Sequence, residues 1–196
     1  MEQNGPDSLT GLQPTHDHPR TDHDLIDAVN RGDAGAFEAL YWRHRDWVVN
    51  LAYRFTADHA LALDVLQETF LYFLKKFPGL TLTCQLRSFL YPAVRNLALA
   101  ARRKAERLQS EDGELPELEA PAPATTGDTV RGQLAAVVSA LPETHREVLL
   151  LRFVDGLSLN EIAMALEIPL GTVKSRLHNA LDALRRDERT KEFFDQ

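Results

Sequence analysis

The stretch Ser158 to Arg186, SLNEIAMALEIPLGTVKSRLHNALDALRR, constrains this chain more than any other. Ser158 and Glu161 stand at capping-box spacing, which pairs the free N–H groups at a helix start. Leu159, Ile162, Ala163 and Leu166 recur on one face of a short amphipathic helix. Glu167-Ile168-Pro169 breaks that period, and Pro169, with no N–H to donate, belongs at the start of the next helix. Val173, Leu177, Leu181 and Leu184 then form the apolar stripe of a longer second helix. Thr172, Lys174, Ser175, Arg176, His178 and Asn179 fall on or near its other face. A short helix, a tight turn and a longer helix with a polar, basic face are the layout of a helix-turn-helix. The second helix of that motif lies in the major groove of DNA. Arg and Asn side chains suit bidentate contacts to guanine and adenine, and Lys174 and Thr172 near the helix start suit phosphate. A plain helical hairpin with a solvated face is the alternative.

A net charge of −7 looks wrong for a DNA binder, and its distribution matters more than its sum. Residues 22–107 hold 12 Lys/Arg against 10 Asp/Glu, and residues 131–186 hold 7 bases against 6 acids. Residues 108–130 carry 6 acids and no base. Two near-neutral blocks are therefore joined by an acidic stretch. Within the first block Arg95, Arg102, Arg103, Lys104 and Arg107 gather positive charge toward the end of one helix, which is what phosphate binding needs.

Periodicity and breakers predict an all-α chain of two small helical domains. Residues 1–21 are polar, with Gly, Pro and His, and read as a disordered tail. Residues 22–107 read as four helices: Asp22 to Asn30, Ala34 to Phe55, His59 to Phe77 and Leu86 to Arg107. The second carries Phe37, Leu40, Tyr41, Trp47, Val48 and Leu51 at helical spacing; the third carries Leu63, Leu66, Phe70 and Phe73-Leu74. Leu80 to Gln85 is a loop, and Pro92 is expected to kink the fourth helix or mark its true start. Residues 108–130 lack apolar periodicity and read as a flexible acidic linker. Residues 131–186 contain four helices, the last two forming the helix-turn-helix, and residues 187–196 are a tail.

Several segments in this order resemble the bacterial RNA polymerase sigma factors, and most closely their small extracytoplasmic-function group, which keeps only the second and fourth sigma regions. Asp64-Val65-Leu66-Gln67-Glu68-Thr69-Phe70 is similar to that group's D-x-x-Q-E-T-F signature, and Arg95-Asn96-Leu97-Ala98 to its R-N-L-A stretch. Arg103-Lys104 stands where the family places a basic pair. Leu141-Pro142-Glu143 through Leu149-Leu150-Leu151-Arg152-Phe153 resembles its L-P-x-x-x-R-x-V-x-x-L-R region, and Gly171-Thr172-Val173-Lys174-Ser175-Arg176-Leu177 its recognition-helix entry.

The resemblance implies roles. Asp64, Gln67, Glu68 and Thr69 would bind core RNA polymerase; the first three occupy i, i+3 and i+4 and share a helix face. The segment from Leu80 to Arg107 would bind and open the −10 promoter element, with the Thr81 to Ser88 loop as pocket wall. Arg95, Asn96, Arg102 and Arg103 would contact the strand. Thr172, Lys174, Ser175, Arg176, His178 and Asn179 would read the −35 element. The linker would thread the polymerase cleft or serve as a spacer. An anti-sigma factor is an implied partner. Departures from the family are Phe89 where relatives usually have Trp, Ala100 where they have Asp, and a Leu-Thr-Leu-Thr-Cys-Gln loop in place of the Gly-x-x-Ser-Phe form. They bear on which downstream promoter sequence would be read.

Other classes fit less well. A stand-alone regulator with a receiver domain needs alternating strands and helices, and none are predicted. A protein-only adaptor leaves the polar face of the last helix unexplained. No Ser/His/Asp or Cys/His set, Gly-rich phosphate loop or HExxH is visible, so no catalysis, cofactor or metal is expected; His16 and His18 are read as incidental. No apolar run approaches the roughly 18 residues a spanning helix needs, and the first residues lack a secretion-signal layout. Lone Cys84 fits a reducing cytoplasm.

Overall fold

The computed structural model describes residues 20–111 and 130–191, and all the regular structure among them is helical. The expected acidic linker between residues 112 and 129, the first 19 residues with His16 and His18, and Phe193-Phe194 lie outside the described residues.

Four helices form the N-terminal block: α1 (Asp22–Asn30), α2 (Ala34–Thr56), α3 (His59–Leu74) and α4 (Leu86–Glu111). Side-chain caps start three of them. Thr21 and Asp24 make a reciprocal capping box on α1, Asp33 accepts the Ala36 N–H at 3.1 Å, and Asp58 accepts that of Leu61 at 3.0 Å. Thr21 therefore belongs to the fold and not to a tail. Neighbouring Arg20 joins it: its carbonyl accepts from Arg43 and its guanidinium sits 3.5 Å from Asp33. α4 begins at Leu86 and continues through Pro92, so the proline does not mark its start. The helix also runs on to Glu111 rather than ending at Arg107.

The core of this block is where helical spacing placed it in α2: Leu40, Trp47, Val48 and Leu51 are buried. In α3 the buried face is turned from the expected one. Ala62, Val65, Leu66, Phe70 and Phe73 face inward, whereas Leu63 and Leu74 are exposed. Aromatic rings fill the space between α2 and α3. Phe37 stacks on Phe73 with centroids 5.8 Å apart, and Tyr41 meets Phe70 edge-on at 4.8 Å.

The C-terminal block holds α5 (Val130–Ala140), α6 (Glu143–Phe153), α7 (Leu159–Leu166), α8 (Leu170–Arg186) and the short α9 (Glu188–Lys191). The Ser158–Glu161 capping box opens α7 as the spacing predicts. Glu167 closes it in the left-handed region at φ 54°, which lets the chain turn sharply into α8. The expected tail is folded at its start. α9 packs on α5 and α8, and buried Thr190 donates its hydroxyl to the Leu184 carbonyl.

The two blocks share one apolar cluster. Leu90, Val94 and Ala98 of α4 belong to the same core as Val148 and Leu151 of α6, Leu157, and Ile162 of α7. A second cluster joins Val137, Leu141 and Leu149 to Ala180 and Leu184 of α8. No described helix is long and apolar enough to cross a membrane.

Candidate nucleic-acid interface

The outer face of α8 is built as its sequence suggests. Val173, Ala180 and Leu184 are buried and hold the helix against the block, with Leu177 and Leu181 packed behind them. Lys174, Ser175, His178 and Asn179 are thereby exposed; Thr172 and Arg176 are half-buried on the flank. Ser175 donates its hydroxyl to the Thr172 carbonyl at 3.0 Å. No side chain caps the first turn of α8, and the space beside Gly171 is open. The positive end of the helix is open to a phosphate.

The α4 cluster divides. Asn96, Arg102, Arg103, Lys104 and Arg107 are exposed, with Arg102 paired to Glu106 at 2.7 Å on its own helix. Arg95 points elsewhere. Its Nε donates to Glu147 of α6 at 3.0 Å, and the Tyr91 hydroxyl donates to the same oxygen. Burial foremost, with the facing Glu147 carboxylate, pushes the Tyr91 phenol far above its ordinary value, so it stays a donor.

The loop before α4 runs from Leu80 to Gln85, and Arg87 and Ser88 already lie in the helix, so the expected loop wall is shorter than Thr81 to Ser88. Asn30 holds its entrance: the side-chain oxygen accepts from Gly79 N–H at 2.7 Å and Leu80 N–H at 3.2 Å, while the amide donates to the Leu80 carbonyl at 2.9 Å. Its sequence signal, an Asn at a helix end, is too common to have singled it out. Cys84 lies in this loop; burial and nearby Glu161 push its thiol up, the reverse of what a reactive cysteine needs.

On α3, Asp64, Gln67 and Glu68 are exposed together. Thr69 is not with them. It is fully buried, one residue past the exposed face, and its hydroxyl has no partner. The neighbouring surface is completed by leucines, two of which, Leu63 and Leu74, helical spacing predicts in the core. Leu63, Gln67, Leu71 and Leu74 form a stripe at i, i+4, i+8 and i+11, and its three leucines are exposed.

Between the blocks lies a polar seam of which the sequence held no sign. Asp155, only 3% exposed, follows α6 and accepts the Trp47 indole N–H at 2.7 Å and the Arg54 guanidinium at 2.9 and 3.0 Å. Arg87 donates to the Asp155 carbonyl at 3.2 Å and lies over the Trp47 ring. A buried carboxylate is tolerable only when paired and fully hydrogen-bonded, and this one is. Glu161 adds a third contact by accepting the Gln85 N–H at 3.3 Å. Burial works to raise the Glu161 carboxyl, but hydrogen bonds from Ser158 and Gln85 outweigh it and hold it below its ordinary value.

Comparison with known proteins agrees with this layout. Residues 40–108 match the family description "Sigma-70 region 2", and residues 137–186 match "Sigma-70, region 4". The chain is 30% identical to the RNA polymerase sigma-H factor of Pseudomonas aeruginosa over 83% of its own length and 91% of that protein's. It is also 30% identical to the ECF RNA polymerase sigma factor SigW of Bacillus subtilis, over 84% of this chain and 95% of the relative. Among solved structures, the sigma factor RpoE bound to the anti-sigma factor NepR from Bartonella quintana is similar with a TM-score of 0.57 and 25% identity, covering 76% of this chain and 94% of that one. CnrH in complex with the cytosolic domain of CnrY shares the fold, with a TM-score of 0.59 and 21% identity over 89% of this chain and 97% of that one.

Proposed function

Since the chain belongs to the sigma-70 family of RNA polymerase subunits, in its extracytoplasmic-function group, we propose how its residues divide the work of promoter recognition. The chain is a sigma factor: it binds core RNA polymerase and directs promoter-specific transcription initiation. Residues 22–107 serve as region 2, residues 108–130 as the linker and residues 131–186 as region 4. Support comes from the two family matches, each falling within one helical block.

Asp64, Gln67 and Glu68 bind core polymerase. Their support is the exposed α3 face, where these polar groups stand beside Leu63, Leu71 and Leu74. A surface of acids mixed with exposed leucines suits a partner helix carrying bases and apolar groups. Lys174, Ser175, His178 and Asn179, flanked by Thr172 and Arg176, read the upstream element in the major groove. Asn96, Arg102 and Arg103, with Arg95, hold the melted downstream strand, and the loop from Leu80 to Gln85 walls the pocket for a flipped base. The chain contributes no catalysis of its own and works in the cytoplasm, beside polymerase and chromosome. Membership of the extracytoplasmic-function group supports activation by stress or an envelope signal. The NepR-bound relative supports an anti-sigma partner for this chain too.

The observation that carries this reading is the coexistence, in order on one chain, of a region 2 match with an acidic exposed α3 face and a region 4 match with an exposed polar recognition helix. Run-off transcription by core polymerase on pooled genomic fragments tests it. New start sites sharing two spaced upstream elements are expected. Duplex binding without new transcripts would instead favour a stand-alone helix-turn-helix regulator.

A further inference from the structure

Aromatic rings run in a column from the core of the N-terminal block to its surface. Phe77, just before the loop, meets Phe73 edge-on with centroids 5.2 Å apart, and Phe73 meets Phe89 at 6.3 Å. Phe89 then stacks on Tyr72 at 6.5 Å, with the ring planes 24° apart. Phe73 is fully buried and Tyr72 is 37% exposed, so the column ends on the outside. It ends beside the pocket loop, because the Phe89 N–H donates to the carbonyl of Gln85, the last loop residue, at 3.2 Å. The ammonium of Lys76 lies over the Tyr72 ring, 4.5 Å from its centroid. Asp64, Glu68, Tyr72 and Lys76 follow one another a turn apart along α3 and the turn after it, and all four are exposed. The line therefore changes from acid to base along its length, and exposed Lys75 adds to the basic end.

We propose that Tyr72 is a base-stacking residue for the melted downstream strand, and that Lys76 contacts the phosphate beside the stacked base. The proposal rests on the sigma-factor reading above. A ring already held by aromatic neighbours loses little freedom when a base lies on it. Every base has a π-face, so such a contact holds the strand without reading its sequence. Lys76 lies over the ring in the free chain, on a flexible four-carbon stem. A base displaces it at small cost, and the ammonium passes to the adjoining phosphate. The earlier turns of α3 do not suit this task, since Asp64 and Glu68 repel phosphate and favour basic groups of a protein partner. α3 thus serves polymerase along its acidic turns and the strand at its end. The loop from Leu80 to Gln85 takes the flipped base, and Tyr72 takes an unpaired neighbour outside that pocket.

The test uses holoenzyme assembled from core polymerase and the full chain, as the parent or as Tyr72→Phe, Tyr72→Leu or Lys76→Ala. The probe is a promoter found by run-off transcription, prepared as a fork whose downstream element is single-stranded. Fluorescence anisotropy reports its binding. Tyr72→Leu keeps an apolar side chain against Phe89 but has no π-face. It should lose about tenfold in affinity for the fork, with core binding, thermal melting and affinity for a duplex carrying only the upstream element unchanged. Tyr72→Phe should bind the fork as the parent does; a merely structural Tyr72 would accept leucine equally well. Lys76→Ala should weaken fork binding and lower the slope of log affinity against log salt by about 0.7. In forks carrying 2-aminopurine at successive downstream positions, one position should be quenched by the parent and by Tyr72→Phe, and not by Tyr72→Leu. Parental fork affinity in Tyr72→Leu overturns the proposal. So does loss of core binding by Tyr72→Leu or Lys76→Ala, which would put this end of α3 on the polymerase surface instead. Promoter-dependent transcription by the parent in either case leaves the sigma-factor reading standing; no such transcript from the parent brings down that reading, and the stacking with it.

Discussion

The indole N–H of Trp47 donates to Asp155 at 2.7 Å, a contact between residues 108 positions apart in the chain. Trp47 belongs to α2 and Asp155 to the turn after α6, so this hydrogen bond ties the first block to the second. Replacing Asp155 with Ala strips Trp47 and Arg54 of their acceptor and leaves an indole N–H buried without a partner. Arg54 is partly exposed and regains water, which limits the damage. The expected cost is on the order of 2 kcal/mol, read as a lower urea midpoint. Asp155→Ala should also leave the helix content of each block unchanged.

Thr69 sits in the polymerase signature yet is buried with an unpartnered hydroxyl. Thr69→Val keeps its shape and removes the unpaired group. The variant is expected to be as stable as the parent, or more stable by about 1 kcal/mol. Its co-purification with core polymerase should be unchanged. Asp64→Lys or Glu68→Lys, on the exposed face of the same helix, should abolish co-purification while thermal melting stays intact.

Arg176 flanks the open face of α8. Arg176→Ala should weaken binding of the holoenzyme to its cognate upstream element by about 1–3 kcal/mol and relax base preference at one position. Titration against a set of single-base-pair variants of the promoter measures both effects. Lys174→Ala should instead lower affinity evenly across sequences and reduce its salt dependence.

Glu167 closes α7 in the left-handed region at φ 54°, ψ 41°, which a Cβ disfavours. Glycine has no such penalty there, but it also adds freedom to the unfolded chain. Glu167→Gly is therefore expected to stabilise the C-terminal block by only about 0.5–1 kcal/mol. Chemical denaturation should show a higher midpoint with an unchanged slope.

Asp22 lies between Arg43, at 2.7 Å, and buried His44, at 2.8 Å. Burial works to raise its carboxyl, but the hydrogen bonds from His44 and Arg43 outweigh it and hold it below the ordinary 3.8. A carboxyl lower in the folded than in the unfolded chain stabilises the fold at pH above its unfolded value and loses that stabilisation as pH falls through its folded one. Asp22→Asn should therefore be less stable than the parent at neutral pH. The difference should shrink as the pH drops below about 4, in denaturation curves taken across the acid range.

Local chemistry was legible in the sequence because its causes are local. The Ser158–Glu161 capping box, Pro169 before α8 and the spacing of Val173 and Leu184 act within a few residues, so the helix-turn-helix could be read before any tertiary contact was known. The exposed polar face of α8 and the Asp64, Gln67 and Glu68 set followed from the same periodicity. In α3 that periodicity was ambiguous. The helix carries apolar residues on most of its circumference, and only packing against α2 and α4 decided that Thr69 goes in while Leu63 and Leu74 stay out. Asp155 looked like an ordinary turn residue before a glycine, and Glu147 like one more surface acid. Nothing local marks two carboxylates whose partners lie 108 and 52 positions away, respectively. Thus the sequence by itself determined the helices, their caps and the recognition face. Tertiary structure alone decided which side of α3 faces outward and that Arg95 pairs with Glu147, because burial and ion pairing between distant segments depend on where the chain brings them together.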